Sequence, residues 1–307
     1  MKSNFMYSDD NKRYHTQNYH LKKFFGTKVV KIPVDAGLSC PNLDGTKGCG
    51  GCIFCLDGSG VNSHESFDVQ FEKGKALLLE KWKTDKFIVY LQTHSNTYSS
   101  PEHLRKIYSE VLSFEGVVGL TVSTRPDCIT EEIADLLSEF SEKTYLTVEL
   151  GLQSIFDATL ERINRGHNFA DFLDGFDKLK KRGIRIAVHL INGLPGETRE
   201  MMCESVCRVA QLDPFAMKLH LLYVERSTPI ETLWREGEVP YFERDEYVSL
   251  LCDQIEQIPS HIVLERLTGD GKKDLLLSPL WTLKKIAFLD EIDKELERRQ
   301  SFQGIKA

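Results

Sequence analysis

The chain has 307 residues, a net charge of −7, and 41% hydrophobic and 28% charged residues. That balance is ordinary for a globular protein and leaves room for one large domain or two modest ones. The acidic excess argues against a generic nucleic-acid coat, and no apolar run approaches the roughly 18 residues needed to cross a bilayer. Met1 to Arg13 is polar and lacks the apolar stretch of a secretory signal. The expectation is therefore a cytoplasmic protein with no membrane partner, in a compartment where clustered cysteines point to metal rather than disulfides.

Residues 1–18 are polar, and a short helix is expected over Tyr19–Phe25. Lys28–Val34 is alternating and β-branched, so it reads as a first strand running into a cysteine-rich loop. That loop continues through Gly58–Gly60, and Val69–Trp82 carries apolar residues at helical spacing. A rhythm then sets in. Phe87–Leu91, Val117–Val122, Tyr145–Leu150, Ile184–Ile191 and Phe215–Leu222 read as buried strands. Helices are expected over Pro101–Leu112, Thr130–Phe140, 155–163, 169–182, Thr198–Gln211 and 229–236. Pro101 suits a first helical turn and Thr130 an N-cap.

Six strands alternating with helices imply parallel strands with helices packed outside. The fold class is thus α/β, a partial (β/α)6 TIM-like barrel over 28–236, preceded by an extension over 1–27. Residues 237–307 form a C-terminal extension expected to pack on the barrel. It holds a helix over Glu243–Ile258, an outlying seventh strand at His261–Glu265, a polar loop over Arg266–Lys273 and a closing helix from Pro279 to Arg299. In such folds the chemistry sits at the C-terminal ends of the strands. Those ends carry Gln92–Thr97, Ser123–Asp127, Glu149–Gln153, His189 with Asn192–Gly196, and Lys218 with His220. The basic runs Lys22–Lys23, Lys178–Arg182 and Lys272–Lys273 read as solvated faces or helix ends.

Ser39–Cys55 holds four of the eight cysteines together with four glycines, so it is neither helix nor strand. It must be a loop folded around something that thiolates bind. Cys40, Cys49, Cys52 and Cys55 admit two readings. Structural zinc usually pairs two separated Cys-x2-Cys knuckles, whereas overlapping steps within one segment suit an iron–sulfur cube. Cys128, Cys203, Cys207 and Cys252 have no metal spacing with one another and read as core or helix residues.

Several motifs carry a resemblance. They are Cys40-Pro-Asn-x-Asp-Gly-Thr, Gly-Gly-Cys52-x-Phe54-Cys55, Ser123-Thr-Arg-Pro-Asp127, Val148-Glu-Leu-Gly-Leu-Gln-Ser154, Arg162-Ile-Asn-Arg-Gly-His167 and His189-Leu-Ile-x-Gly-Leu-Pro-Gly196. In this order the set resembles the radical S-adenosylmethionine superfamily over about residues 20–285. More narrowly it is similar to the YhcC/YtqA-type branch, whose core resembles that of the Elongator catalytic subunit. The resemblance implies a [4Fe–4S] cluster on Cys40, Cys52 and Cys55, with one iron left for S-adenosylmethionine and Cys49 a bystander. It also implies reductive cleavage of that cofactor to a 5′-deoxyadenosyl radical, and an electron donor of flavodoxin or ferredoxin type.

Each part of the cofactor needs a partner on the protein. By the resemblance, the loop containing Thr93, Ser95 and Asn96 meets its amino group. Arg165 forks onto its carboxylate. Ser123, Thr124 and Gln153 take the ribose, and the adenine lies near Phe54 and the backbone of Asn192, Gly193 and Leu194. Glu149 and His189 belong to the same site. For the substrate, the resemblance implies wobble-uridine modification in tRNA. Arg125, Lys218 and His220 are the catalytic candidates, with Tyr223, Arg226 and Arg266 also able to ring a flipped base. A radical enzyme for a small metabolite, or a non-catalytic zinc-stabilised binding protein, are the rival readings. Against RNA stand the acidic balance and the lack of an acetyltransferase or RNA-binding module.

Overall fold

The computed structural model describes residues 7, 12–55, 63–269 and 271–307. The expected continuation of the cysteine loop through Gly58–Gly60, and most of the polar stretch before residue 12, lie outside the described residues. The strands are β1 (Val30–Val34), β2 (Phe87–Leu91), β3 (Val117–Thr124), β4 (Tyr145–Gln153), β5 (Arg185–Asn192), β6 (Ala216–Leu221), β7 (Val224–Glu225), β8 (Val263–Arg266) and β9 (Leu276–Ser278). The helices are α1 (Gln17–Phe25), α2 (Phe67–Leu79), α3 (Pro101–Leu112), α4 (Glu131–Lys143), α5 (Asp157–Arg162), α6 (Phe169–Lys181), α7 (Arg199–Gln211), α8 (Ile230–Arg235), α9 (Arg244–Gln257) and α10 (Lys285–Arg298).

Seven strands form one parallel sheet in the order β1-β2-β3-β4-β5-β6-β8, curled into a half-barrel with helices outside. The seventh strand, β8, pairs directly with β6 and so belongs to this sheet. Its far edge is covered in part by the N-terminal segment, where Leu264 N donates to His15 O at 2.7 Å. Two findings depart from the sequence expectation. β7 and β9 form a small antiparallel ribbon where the sequence suggests none. The stretch from Pro279 opens as a 3-10 turn over Leu280–Lys284 before α10 begins.

Helix starts follow the sequence. Thr16, Ser100, Thr130, Asn168 and Thr198 each accept a hydrogen bond from a backbone N–H of the first turn. Outward strand residues such as Ile32, Val89, Val122, Val148, Val188 and Leu219 pack with the apolar faces of the helices into the main core.

The inward strand positions alternate with these and form layers. The lowest layer is apolar: Val29, Ile88, Tyr145, Ala187, Ala216 and Val263 are all buried. Two residues further along come Lys31, Tyr90, His189, Lys218 and Glu265, and four further along β4 comes Glu149. A packed barrel normally fills such a layer with branched apolar side chains. Here it is charged, and it forms the floor of the cavity described below.

One close approach fixes the rim. Gly175 of α6 packs on the 3-10 turn Pro126–Cys128, where an added Cβ would fall 2.5 Å from Pro126 O. The clash is with backbone, so it cannot be relieved by a rotamer change. We expect Gly175→Ala to destabilise the protein by about 1–3 kcal/mol, read as a lowered denaturant midpoint with unchanged slope.

Candidate active site

The cysteine loop leaves the end of β1 and is shaped by its own backbone. Leu43 N donates to Cys40 O (2.8 Å), Gly51 N to Asn42 O (2.9 Å) and Cys55 N to Cys52 O (2.9 Å). It is also fastened to the segment after α5. Asn42 Nδ2 donates to Asn164 O (2.5 Å), and Asn164 Nδ2 donates to Gly51 O (2.7 Å) and Cys49 O (3.1 Å). Ile53 N donates to Ile163 O (3.1 Å).

This anchoring turns Cys40, Cys52, Cys55 and Phe54 toward a cavity of about 370 Å³ at the C-terminal ends of the strands. Cys49 is exposed and does not line the cavity; its Sγ lies 3.8 Å from where a Cβ on Gly45 would stand. Among the described residues no three His, Cys, Asp or Glu side chains converge as one metal ion demands. Cys40, Cys52 and Cys55 line one common cavity.

Ser123, Thr124, Arg125, Gln153, Arg165, His189, Lys218 and His220 all line this cavity. Arg165 is buried beside the thiols, its Nη1 donating to Cys52 Sγ at 3.5 Å and its Nη2 to Gly151 O at 2.7 Å. Its Nε has no hydrogen-bond partner among the described residues. Gln153 ends β4 at φ 79, and its Oε1 has no hydrogen-bond partner among the described residues. Gly151 leaves room for both: an added Cβ would fall 2.7 Å from Arg165 Nη2 and 2.9 Å from Gln153 Nε2. His167, to which the sequence assigns no role, stands with Nε2 3.2 Å from the same Gly151 carbonyl. Burial, and then the Arg165 and Arg125 guanidiniums, push its pKa down, so the ring is neutral.

Arg125 reaches the wall with three of its five donors engaged. Nε and Nη2 fork onto Asp127 at 2.9 and 3.0 Å, and Nη1 donates to Arg165 O at 2.7 Å. This geometry holds the Arg165 backbone in place and supports a positioning role for Arg125.

The loop after β2 presents alternate residues. Gln92 and His94 line the cavity, while Thr93, Ser95 and Asn96 are buried behind it. Ser95 Oγ lies 2.9 Å from Thr124 Oγ1, and Asn96 Nδ2 donates to Thr93 O and Ser123 O, both at 3.0 Å. Asn192, Gly193 and Leu194 do not line the cavity either. Asn192 exchanges two hydrogen bonds with Gln254 of α9, at 2.9 and 2.8 Å.

The floor is an ionic cluster. Lys218 Nζ donates to Glu149 Oε2 at 2.7 Å and to Tyr90 Oη at 3.2 Å, and Tyr90 Oη donates to the same Glu149 oxygen at 2.7 Å. Lys31 Nζ stands 3.5 Å from Glu149 Oε1 and 2.9 Å from Glu265 Oε2. Burial alone would raise the Glu149 pKa, but Lys218 and Lys31 hold it well below the usual carboxylate range. Above it, the His189 and His220 rings meet edge-on at 4.1 Å. Burial, reinforced for His189 by Lys218 and for His220 by His189, drives both pKa values well down and keeps both rings neutral. Tyr90 and Lys31 carry no motif in the sequence.

These residues fit an iron–sulfur cluster with an amino-acid-bearing nucleotide. Three thiols open on one cavity, a guanidinium keeps an unused donor beside them, and Gly151 keeps that space clear.

Comparison with known proteins agrees. Residues 45–206 match the family model of the Radical SAM superfamily, and residues 214–298 that of the Radical SAM C-terminal domain. YtqA of Bacillus subtilis (strain 168) is 45% identical over 304 residues, spanning 98% of this chain and 94% of that protein. The tRNA uridine(34) acetyltransferase of Methanocaldococcus jannaschii is 28% identical over 157 residues, which is 50% of this chain and 28% of that protein. Among solved structures, archaeal Methanocaldococcus infernus Elp3 with an N-terminal deletion superposes with a TM-score of 0.67 at 19% identity, covering 90% of this chain and 64% of that chain. This last likeness is one of fold. With family models over most of its length and a relative so similar from end to end, the chain belongs to the radical SAM superfamily, whose enzymes work with a [4Fe–4S] cluster and S-adenosylmethionine.

Proposed function

We propose that this enzyme modifies the wobble uridine of tRNA. The observation that carries the reading is the 28% identity with a tRNA uridine(34) acetyltransferase across half of the chain. The cavity supports it, being open at the strand ends and ringed by Phe54, Tyr223, Arg266 and the two histidines. Cys40, Cys52 and Cys55 would hold the cluster, leaving one iron for the cofactor. Bound there, the pair supplies a carbon-centred radical able to take a hydrogen atom from an unactivated carbon.

The protein's part is to bind, orient and exclude. Arg165 offers its free Nε to the cofactor carboxylate. Ser123, Thr124 and Gln153 face the same space and suit ribose hydroxyls, and Phe54 suits the adenine. The Lys218–Glu149–Tyr90 cluster keeps the floor polar, and His220 lines the cavity beside it. A flavodoxin- or ferredoxin-type protein would deliver the electron, in the cytoplasm. The barrel over 28–236 and the extension over 237–307 form one working unit, since β8 completes the sheet.

The test is nucleoside analysis of total tRNA from a deletion strain. Loss of a wobble-uridine side chain, restored by the gene but not by its Cys52→Ala form, is the expected result. An unchanged profile would remove tRNA as substrate and leave the small-metabolite reading.

A further inference from the structure

Tyr223 follows β6 and lines the cavity. Its ring is fixed by an unusual contact. Beyond β8, Gly269 and Gly271 both come up against it. A Cβ on Gly269 would fall 2.5 Å from Tyr223 Cδ1 and 2.8 Å from Cε1, and one on Gly271 would fall 3.2 Å from Cδ2. The first two distances are far below ordinary contact and the third is tight, so both glycines come close to the ring and a side chain at either would press on it. Gly271 also abuts Leu276 Cδ1 of β9, so the β7–β9 ribbon backs the same clamp. This is an aromatic surface with little freedom to turn.

The ring's surroundings select the kind of molecule it suits. The nearby imidazoles of His189 and His220 are neutral, and each keeps an Nε2 without a hydrogen-bond partner among the described residues. The Lys218 ammonium is already paired with Glu149. An uncharged flat heterocycle gains a stacking face and polar ring edges here, beside the Arg266 guanidinium that lines the same cavity. Aromatic side chains hold unstacked bases in this way, and a fixed ring loses little entropy on doing so.

We propose that Tyr223, clamped by Gly269 and Gly271, is the stacking platform for the extruded pyrimidine of the substrate, with His189 and His220 at its edge. This rests on the tRNA reading above. It makes Tyr223 a specificity-determining residue and gives the glycine pair a purpose beyond turning the chain.

The test uses the reconstituted full-length protein and two anticodon stem-loop RNAs, one with uridine at the wobble position and one abasic there, read by fluorescence anisotropy. The wild type should prefer the uridine hairpin by about tenfold to a hundredfold. Tyr223→Phe should keep that preference, while Tyr223→Leu and Gly269→Ala should lose it. Because Gly269→Ala displaces the ring without removing it, the two losses come from independent changes, and thermal melts identify any variant that fails to fold. If a folded Tyr223→Leu retains the preference, the platform is wrong and the tRNA reading survives. The platform is equally wrong if the wild type shows no preference while the deletion strain's tRNA profile is altered. If neither the preference nor the tRNA change is found, the tRNA reading falls and the platform falls with it.

Discussion

Cys52→Ala should yield no 5′-deoxyadenosine above background after anaerobic reconstitution and reduction, and the preparation should bind fewer irons and lose its brown charge-transfer absorbance. Cys52 is buried, faces the cavity and accepts from Arg165, so no other sulfur can take its place without moving the loop. Cys40→Ala and Cys55→Ala should fail in the same way. Cys49→Ala is the control. Cys49 is exposed and turned toward Gly45, away from the cavity, so its loss should change activity by no more than about twofold. An inactive Cys49→Ala beside an active Cys40→Ala would reverse the ligand assignment.

The second large effect concerns stability. Lys218→Met should destabilise the protein by about 3–5 kcal/mol, because it strips a buried carboxylate of its nearest cation. The pH dependence gives the signature. In the wild type, Glu149 is held below its unfolded pKa, so its contribution is fully present above the ordinary carboxylate range and is lost only as pH falls through the depressed folded value. With Lys218 gone, burial outweighs the remaining pull of Lys31, and the Glu149 pKa rises. A raised carboxylate pKa reverses the slope. The variant should regain stability as pH is lowered from about 8 to about 5.5, where the wild type gains none. Denaturant midpoints at a series of pH values check this, and Glu149→Gln combined with Lys218→Met should recover much of the loss and flatten the dependence. A Lys218→Met variant as stable as wild type at neutral pH would mean that water, not Lys218, balances Glu149.

What the sequence makes legible follows from what local chemistry decides. Apolar runs and caps are local signals, so Phe87–Leu91 and Pro101–Leu112 appear in the structure with the boundaries read from the sequence. β7 and β9 are two and three residues long, too short for any period to register. The break at Lys284 was hidden because a 3-10 turn and a helix share much of their apolar spacing. The cavity lining was legible where a motif carries it: Cys40, Cys52, Cys55 and Arg165 all stand on its wall. It was not legible where only the barrel's phase decides. Gln92 and His94 face the cavity while Thr93, Ser95 and Asn96 brace neighbouring loops, and nothing in that hexapeptide announces which alternate set points inward. Lys31 and Tyr90 stand on strands that read as ordinary alternating or apolar runs, and only closure of the sheet brings them to Glu149.

The stitching of the cysteine loop to Asn164 and Ile163 has a consequence for the life of the protein in the cell. Many small metal-binding segments take shape only when the ion arrives, and collapse when it leaves. Here amides and carbonyls fasten the loop to the chain beyond α5 in addition to its thiolates. Damage by oxygen would then strip the cargo and spare the receptacle, and repair would call for iron, sulfide and reducing power without a fresh round of folding.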